Sequence, residues 1–215
     1  MAGVTGVLDL WQHYQSTTST VDIPPDGCRD IIVALPRSGP GAWTLFPLAD
    51  ATERKVVEAG TTLMGARLRP GALLDADTFL GLARESPSSP DGLLSRLEAF
   101  VTVDGDVDEA LALLAQPGAP VERCARSAGV SERSFQRLVL GGTGRSPVFW
   151  RQLARARRAA RSLFNTPDIP AAAYENGFSD QAHLTREMRR WFGNTPANIR
   201  HDTQLHAALS ESGYA

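Results

Sequence analysis

Hydrogen-bonding side chains recur at helical spacing in two stretches of the C-terminal half of the chain. The first stretch offers Arg133, Gln136 and Arg137, with Phe135 and Leu138 on the opposite, apolar side. An arginine can form two hydrogen bonds to the O6 and N7 atoms of guanine, and a glutamine can bond adenine in the same way. The second stretch offers a comparable outward set: Gln181, His183, Thr185 and Arg186. This chemistry suits base edges and phosphates, and the sequence allows either role for each residue.

Both stretches follow the same short pattern. A small residue is followed four positions later by glycine, as Ala125 by Gly129 and Ala173 by Gly177. The alanine lets two helices approach closely, and the glycine can adopt the left-handed conformation that a tight interhelical turn needs. Each copy is trailed by Gly-x-Ser/Thr-Pro, and a single inserted residue relates the copies. The repeat predicts two helix-turn-helix units.

Each unit also carries residues that suit the beginning of its second helix. Ser131 and Ser179 are expected to be the N-caps, because a hydroxyl oxygen can accept a hydrogen bond from a free backbone N–H of the first turn. Glu132 and Asp180 then lie near the positive end of the helix dipole. The second helix of such a unit is the one that enters the major groove, with its early outward residues at base edges.

Residues 147–164 predict one long helix between the two units. Proline at its first position is favourable, and its apolar residues form one stripe: Phe149, Leu153, Ala156, Ala160 and Leu163. At 1.5 Å per residue it is about 27 Å long, which suits the ~34 Å between successive major grooves on one face of DNA. Arg151 and Arg155 lie on another face, where they either bind phosphate or only solvate the helix.

These residues carry a resemblance to a known family. Residues 121–200, and most clearly 173–186 and 190–196, resemble the DNA-binding domain of AraC-type (AraC/XylS) transcription regulators. The resemblance implies sequence-specific binding of double-stranded DNA, with base or phosphate contacts at the positions of Arg133, Gln136 and Arg137. It also suggests RNA polymerase and a second copy of the chain, as a homodimer, among the partners.

The charge distribution agrees with this interpretation. The formal net charge is −2, but residues 1–115 carry 16 acidic and 8 basic side chains, whereas residues 116–215 carry 8 acidic and 14 basic ones. A DNA-binding module needs positive charge to meet phosphate. The C-terminal part alone therefore has the expected electrostatic footprint.

The N-terminal part predicts short strands separated by turns. Residues 31–35, 43–48, 55–58 and 61–69 are apolar or alternating runs bounded by glycine and proline. Residues 25–32 and 65–72 resemble a β-rich, cupin-like sensor domain that precedes some AraC-type modules. Helical patterns follow over 72–84, 91–101 and 106–115, and Pro117 to Pro120 reads as a linker.

The predicted fold class is therefore α+β: a small N-terminal β-barrel-like domain with a helical connector, and an all-α C-terminal domain in which a linker helix joins two helix-turn-helix units. The expected boundaries are 1–84 for the sensor domain, 85–116 for the connector, 117–203 for the DNA-binding domain and 204–215 for a tail.

The resemblance to a sensor predicts a small-molecule effector held in the N-terminal domain. Trp43, Arg67 and Arg69 are the candidate pocket residues, because an aromatic ring and a cation suit a ligand with an apolar body and an anionic group. Two alternatives stand beside this: the tryptophan belongs to the core and the arginines to the surface, or the domain is an interaction or dimerisation module without an effector.

Other classes of function lack the residues they need. The histidines are His13, His183, His201 and His206 and the cysteines Cys28 and Cys124, with no zinc-ligand spacing. No Gly-x-Ser-x-Gly elbow or phosphate loop occurs, so we expect no enzyme, metal or cofactor. No apolar run approaches the ~20 residues that span a bilayer, and the first residues lack the basic region and the apolar stretch that are typical of a signal peptide. The expected location is a reducing bacterial cytoplasm.

Overall fold

The computed structural model describes residues 5–85 and 90–215, which form two compact units. The first unit comprises the described parts of 1–21, 28–48 and 54–105. The second comprises Asp22–Gly27, Ala49–Glu53 and Asp106–Ala215, so two short segments of the N-terminal half belong to the helical unit. The predicted fold class is confirmed, since strands dominate the first part of the chain and helices the second.

The first unit is built on an antiparallel sheet. Its strands are β1 Val7–Gln15, β2 Ser19–Ile23, β3 Arg29–Leu35, β4 Ala42–Phe46, β5 Glu53–Val57 and β6 Thr61–Leu68. Four of them pair in the order β1-β6-β3-β4, while β2 pairs with β5. The predicted strands at 31–35, 43–48, 55–58 and 61–69 correspond to β3, β4, β5 and β6.

One face of the four-stranded sheet forms the core of this unit. Ile31 lies opposite Ala66 on one side and Leu45 on the other, so these three side chains share a face. Phe79, which is fully buried, covers that face together with Leu97. The rings of Trp43 and Phe100 pack edge-on against Phe79, with centroids 5.4 Å and 5.6 Å away.

The helices of the first unit are shorter than the sequence predicts. The run 72–84 begins with strand β7, Leu73–Leu74, which pairs with β8, Val101–Thr102, so α1 spans only Ala76–Glu85. The run 91–101 divides into α2, Pro90–Leu94, and a 3₁₀ helix, Leu97–Phe100. In the first of these runs, backbone pairing between β7 and β8 replaces helical hydrogen bonds. Residues 86–89 of the predicted connector lie outside the described residues.

The second unit is helical. Its elements are α3 Gly105–Ala115, α4 Val121–Ser127, α5 Glu132–Thr143, α6 Pro147–Asn165, α7 Ile169–Glu175, α8 Gln181–Phe192, α9 Pro196–Ile199 and α10 Thr203–Ser210. The predicted helices at 106–115 and 147–164 agree with α3 and α6 within one residue. The predicted tail, 204–215, contains most of α10 and the buried ring of Tyr214.

Helix α6 is the centre of the second unit, and residues far apart in the chain pack on it. Its Trp150 is fully buried and lies edge-on to Tyr214 at 4.8 Å. The Tyr214 hydroxyl donates to the carbonyl oxygen of Leu111 at 2.9 Å, and the Tyr214 backbone N–H donates to Asp26 at 2.7 Å. Helix α3, the C-terminal residues and the segment 22–27 are therefore parts of one core.

Gly27 allows the segment 22–27 to lie against α6. A Cβ at this position would come within 2.6 Å of the Tyr214 side chain and 3.0 Å of the Trp150 ring, and the backbone has φ +79°. Close by, the fully buried guanidinium of Arg157 donates to the carbonyl oxygen of Pro25 at 3.3 Å. Only glycine satisfies both the backbone conformation and the close approach.

Candidate nucleic-acid interface

Two interhelical turns of the same construction set up the candidate interface. Gly129 has φ +69° and Gly177 has φ +72°, and both lie in open space, so the left-handed backbone is what requires glycine. After each glycine the chain turns back onto the preceding helix, where the Val130 N–H donates to Ala125 and the Phe178 N–H to Ala173. The predicted pair of helix-turn-helix units is thus α4–α5 and α7–α8.

The two turns differ by one residue, and the prediction of matching serine caps is wrong for the second. Ser131 caps α5 by accepting a hydrogen bond from the Ser134 N–H. In the second helix-turn-helix unit the N-cap is Asp180, whose carboxylate accepts a hydrogen bond from the His183 N–H at 2.7 Å. The inserted residue lies between Gly177 and the start of α8, and it moves the capping position from Ser179 to Asp180. That hydrogen bond holds the pKa of Asp180 below its ordinary value.

Helix α5 presents its three predicted residues to solvent. Arg133, Gln136 and Arg137 are all exposed, whereas Phe135 and Val139 are fully buried. Gln136 donates to the Glu132 carboxylate at 2.9 Å along the same face. An exposed row of two guanidinium groups and an amide can reach base edges without disturbing the core.

Helix α8 presents a different set. Gln181 and Arg186 are exposed, while His183 and Thr185 are half-buried. The His183 imidazole lies 3.2 Å from the Ser179 hydroxyl and edge-on to the Phe178 ring at 5.2 Å. Thr185 donates to the carbonyl oxygen of Gln181. Both half-buried side chains therefore have contacts within their own unit.

The arginines of α6 have unlike surroundings. Arg155 lies 4.6 Å above the Phe178 ring and donates to the Gly177 carbonyl oxygen, and burial holds its pKa below the usual value. Arg158 donates to the carbonyl oxygen of Ala115. Arg151 is half-buried. Arg155 and Arg158 thus pack within the helical unit, and Arg155 contacts the turn that precedes α8.

A buried polar group joins α5 to α6. The Thr143 hydroxyl lies 2.7 Å from the carbonyl oxygen of Val139 and accepts a hydrogen bond from the Trp150 indole at 2.9 Å. On the other side, Arg190 of α8 donates to Gln152 of α6 at 3.2 Å. Helix α6 therefore contacts both units that carry the exposed residues.

Sequence reasoning missed two residues that contact this region, Asp50 and Thr52. The Asp50 carboxylate lies 3.5 Å from the guanidinium of Arg145, directly after α5 and its C-cap glycine. Thr52 donates to the carbonyl oxygen of Trp191 in the last turn of α8. Thr52 and Trp191 are separated by 139 residues, and no local pattern predicts such a contact.

The candidate pocket residues of the first unit do not share a surface. Trp43 lies opposite Val33 and so faces the core, whereas Arg67 lies opposite Asp30, on the other face of the sheet. Arg67 forms an ion pair with Asp30 at 3.2 Å. Arg69 lies beyond the end of β6 and donates to the carbonyl oxygen of Thr5. The structure does not bring these three side chains together.

Among the described residues no group of histidine, cysteine or carboxylate side chains is arranged to hold a metal. Cys28 and Cys124 are both buried, and burial raises the pKa of the Cys124 thiol. In the same part of the chain, no helix is long and apolar enough to cross a membrane.

Part of the chain is similar to known proteins. Residues 124–202 match the family described as a helix-turn-helix domain. The HTH-type transcriptional regulator GlxA of Rhizobium meliloti is 33% identical over 132 residues, which cover 58% of this chain and 40% of GlxA. RipA of Corynebacterium glutamicum, another HTH-type transcriptional regulator, is 32% identical over 114 residues, 53% of this chain and 32% of RipA. The chain thus spans less than half the length of either relative.

Two solved structures superpose on different extents of the chain. ToxT from Vibrio cholerae O395 covers 95% of this chain and 98% of its own, at a TM-score of 0.47 and 10% identity. The DNA-binding domain of AdpA, solved in complex with a target DNA, covers 46% of this chain and 90% of its own, at a TM-score of 0.39 and 30% identity.

Proposed function

We propose that the protein is a transcription regulator of the AraC type that binds specific sequences of double-stranded DNA, because residues 124–202 match a helix-turn-helix domain family and the chain is similar to HTH-type transcriptional regulators. The observation that carries this proposal is the pair of capped helices, α5 and α8, whose outer faces are polar and basic while their inner faces are buried. The proposal assigns a binding function and no catalytic step. RNA polymerase and a homodimer partner remain expected partners.

We assign the contacts by exposure. The exposed polar side chains of α5 and α8 suit contacts to base edges or phosphates. They are Arg133, Gln136 and Arg137 of α5 and Gln181 and Arg186 of α8. His183 and Thr185 contribute mainly through the shape of the first turn of α8, since their side chains contact Phe178, Ser179 and Gln181. Arg151 is the α6 residue that we assign to phosphate, whereas Arg155 supports the second turn.

The experiment is a selection from random duplexes with the whole chain, followed by competition between the selected operator and random DNA. We expect Arg137→Ala and Arg186→Ala to reduce this discrimination by about 1–3 kcal/mol each, if the lost contact is bidentate to guanine. Arg151→Ala should lower the affinity for all sequences alike. It should also make the slope of log affinity against log salt shallower, by the amount expected for about one phosphate contact.

The matched control is Arg84→Ala, which removes the same charge from an exposed position in the first unit. We expect it to leave both discrimination and the salt slope unchanged. A wild-type protein that enriches no sequence would overturn the proposed function. Equal loss of discrimination from Arg151→Ala and Arg137→Ala would overturn the division of roles.

For the first unit we propose effector sensing, on the resemblance of residues 25–32 and 65–72 to cupin-like sensor domains. A ligand on the core face would meet Trp43 and Phe79, and a ligand on the other face would meet Arg67, because the sheet separates them. Compounds that raise the unfolding temperature should be titrated with and without operator. A true effector changes operator affinity, and its own affinity changes by the same factor, typically 5–150-fold.

A specific observation favours the second candidate, a dimerisation module without an effector. Leu10 and Tyr14 on β1 are 51% and 60% exposed, although they lie opposite Ala66 and Thr62 on the same face as the core. A second copy could cover these apolar side chains. Light scattering of the whole chain tests this: Tyr14→Lys should convert a dimer into a monomer, and a wild type that is monomeric at all concentrations excludes this candidate.

A further inference from the structure

The C-terminal ends of the two candidate recognition helices converge on one aromatic side chain. Phe149, in the first turn of α6, lies under the guanidinium of Arg145 at 5.0 Å, just after the end of α5. The same ring packs against Trp191, in the last turn of α8, with centroids 5.5 Å apart. The two helix ends are thus separated by a single buried ring.

A five-residue segment from the N-terminal half of the chain reaches both helix ends. In the segment Ala49–Glu53, the Asp50 carboxylate lies 3.5 Å from the Arg145 guanidinium. Two residues later, the backbone N–H and the hydroxyl of Thr52 both donate to the carbonyl oxygen of Trp191, at 2.9 Å and 3.1 Å. We name this segment, residues 49–53, the strap.

The contact with Trp191 satisfies a group that α8 itself leaves without a partner. The last four carbonyl groups of a helix have no intrahelical donor, and that of Trp191 is one of them. Thr52 supplies two donors at this position, whereas the neighbouring Arg189 carbonyl accepts from Gly193 within the helix cap. The strap therefore holds the end of α8 by a directed, two-fold interaction.

From these contacts, and resting on the proposed function, we propose that the strap fixes the spacing and relative rotation of the two recognition helices and so determines which operator spacing the protein accepts. Helix α6 connects the two helix-turn-helix units. The strap adds a second connection between these two helix-turn-helix units. Two connections restrict the rotation of one unit relative to the other more than a single connection does. Asp50 and Thr52 are positioning residues in this proposal and need not touch DNA.

The two contacts contribute unequally. Asp50 is largely exposed and its partner Arg145 partly so, and exposed ion pairs contribute little. The paired hydrogen bonds of Thr52 are therefore the main restraint. A variant that changes only Asp50 should have a small effect, and a variant that changes both residues should have a clear one.

The experiment measures affinity as a function of operator spacing. Starting from the operator selected with the wild-type chain, the interval between its two halves is lengthened or shortened by one base pair. One base pair moves the second half by about 3.4 Å and rotates it by roughly 35°. We expect the wild type to lose about tenfold in affinity, similar to a mismatched base pair.

In Asp50→Ala/Thr52→Val we expect that loss to fall to about threefold or less, with unchanged affinity for a duplex that contains only one half of the operator. Thr52→Ser keeps the hydroxyl and should restore the wild-type spacing dependence. Thr52→Pro removes both donors of Thr52 and should relax the dependence further; if it does not fold, the double variant decides.

A folded double variant that loses as much affinity as the wild type on a one-base-pair shift overturns this inference and leaves the proposed function intact. A wild type that enriches no operator overturns the proposed function and this inference together. Equal weakening of the native and shifted operators by the double variant also overturns it, because a merely structural role of the strap would act on both alike.

Discussion

At the scale of single residues, the Thr143 hydroxyl is the buried polar group on which the junction of α5 and α6 depends. We predict that Thr143→Val lowers the free energy of unfolding by about 1–3 kcal/mol, because the Trp150 indole N–H loses its acceptor in a buried site. Chemical denaturation measures the loss. Thr203→Val, at an exposed position, is the control and should change stability by less than about 0.5 kcal/mol.

The residue scale also shows what sequence patterns can and cannot predict about the candidate site. The outward positions of Arg133, Gln136 and Arg137 follow from helical periodicity, and the structure agrees with them. The contact between Arg155 and Phe178 does not follow, because it joins two helices and depends on how they cross. Periodicity says which face is outward, but it does not say which outward side chain another helix will cover.

At the scale of elements, the Asp180 cap makes the start of α8 sensitive to pH. Its pKa is lowered in the folded state, so the charged carboxylate stabilises the fold above the unfolded pKa, and this stabilisation is lost as pH falls through the folded pKa. We predict that Asp180→Ala destabilises the protein at neutral pH and that the difference from wild type shrinks below about pH 4.

The control for this pH dependence is Asp180→Asn, which keeps an oxygen acceptor but carries no titratable group. Its stability relative to Asp180→Ala should not change between pH 7 and 3. Urea denaturation across this range measures both variants. A wild-type advantage over Asp180→Asn that persists unchanged at pH 3 would contradict the assignment of the shift to Asp180.

The turn before α8 gives a second prediction at this scale. Gly177→Ala places a Cβ in a left-handed conformation, which costs about 1–2 kcal/mol. Gly141, inside α5, also lies in open space but has no positive φ, so Gly141→Ala should stabilise the protein by about 0.5–1 kcal/mol. Opposite signs in thermal unfolding confirm that backbone conformation decides; equal signs would refute it.

The elements themselves were predictable to unequal degrees. Helices α5, α6 and α8 have strong amphipathic patterns and capping residues at their starts, and the sequence predicts them well. The sequence does not predict strand β1, because this strand lies at the edge of the sheet, exposes residues on both faces and so lacks alternation. The sequence predicts the N-cap of α8 one residue too early, at Ser179, because the repeated glycine and serine do not show where the inserted residue lies.

At the scale of the whole molecule, the helical unit is not a continuous stretch of sequence. Residues 117–202 contain both candidate recognition helices but lack Leu111, Tyr214 and the segment 22–27, all of which pack within this unit. We predict that a fragment 117–202 unfolds at a lower temperature than a fragment 106–215, because the Trp150 ring loses its contact with Tyr214. Losing the burial of one large side chain costs about 1.5–3 kcal/mol.

Near-UV circular dichroism of the two fragments and the whole chain measures this order. Each fragment should bind the selected operator at temperatures where it is folded, since both contain the two helix-turn-helix units and most of the positive charge. Equal unfolding temperatures for the two fragments would show that α3 and Tyr214 add nothing to the stability of the unit.

The packing of Pro25 against Arg157 also has a consequence for how the protein is made. The two residues are 132 positions apart in the chain, and a ribosome adds about 5–20 residues per second. Arg157 is therefore synthesised roughly 7–26 s after the segment 22–27, and the contact between them cannot form earlier. Helix α3 likewise waits for Tyr214, 103 residues after Leu111. We expect the helical unit of the nascent chain to reach its full stability late, after Tyr214 has left the ribosome.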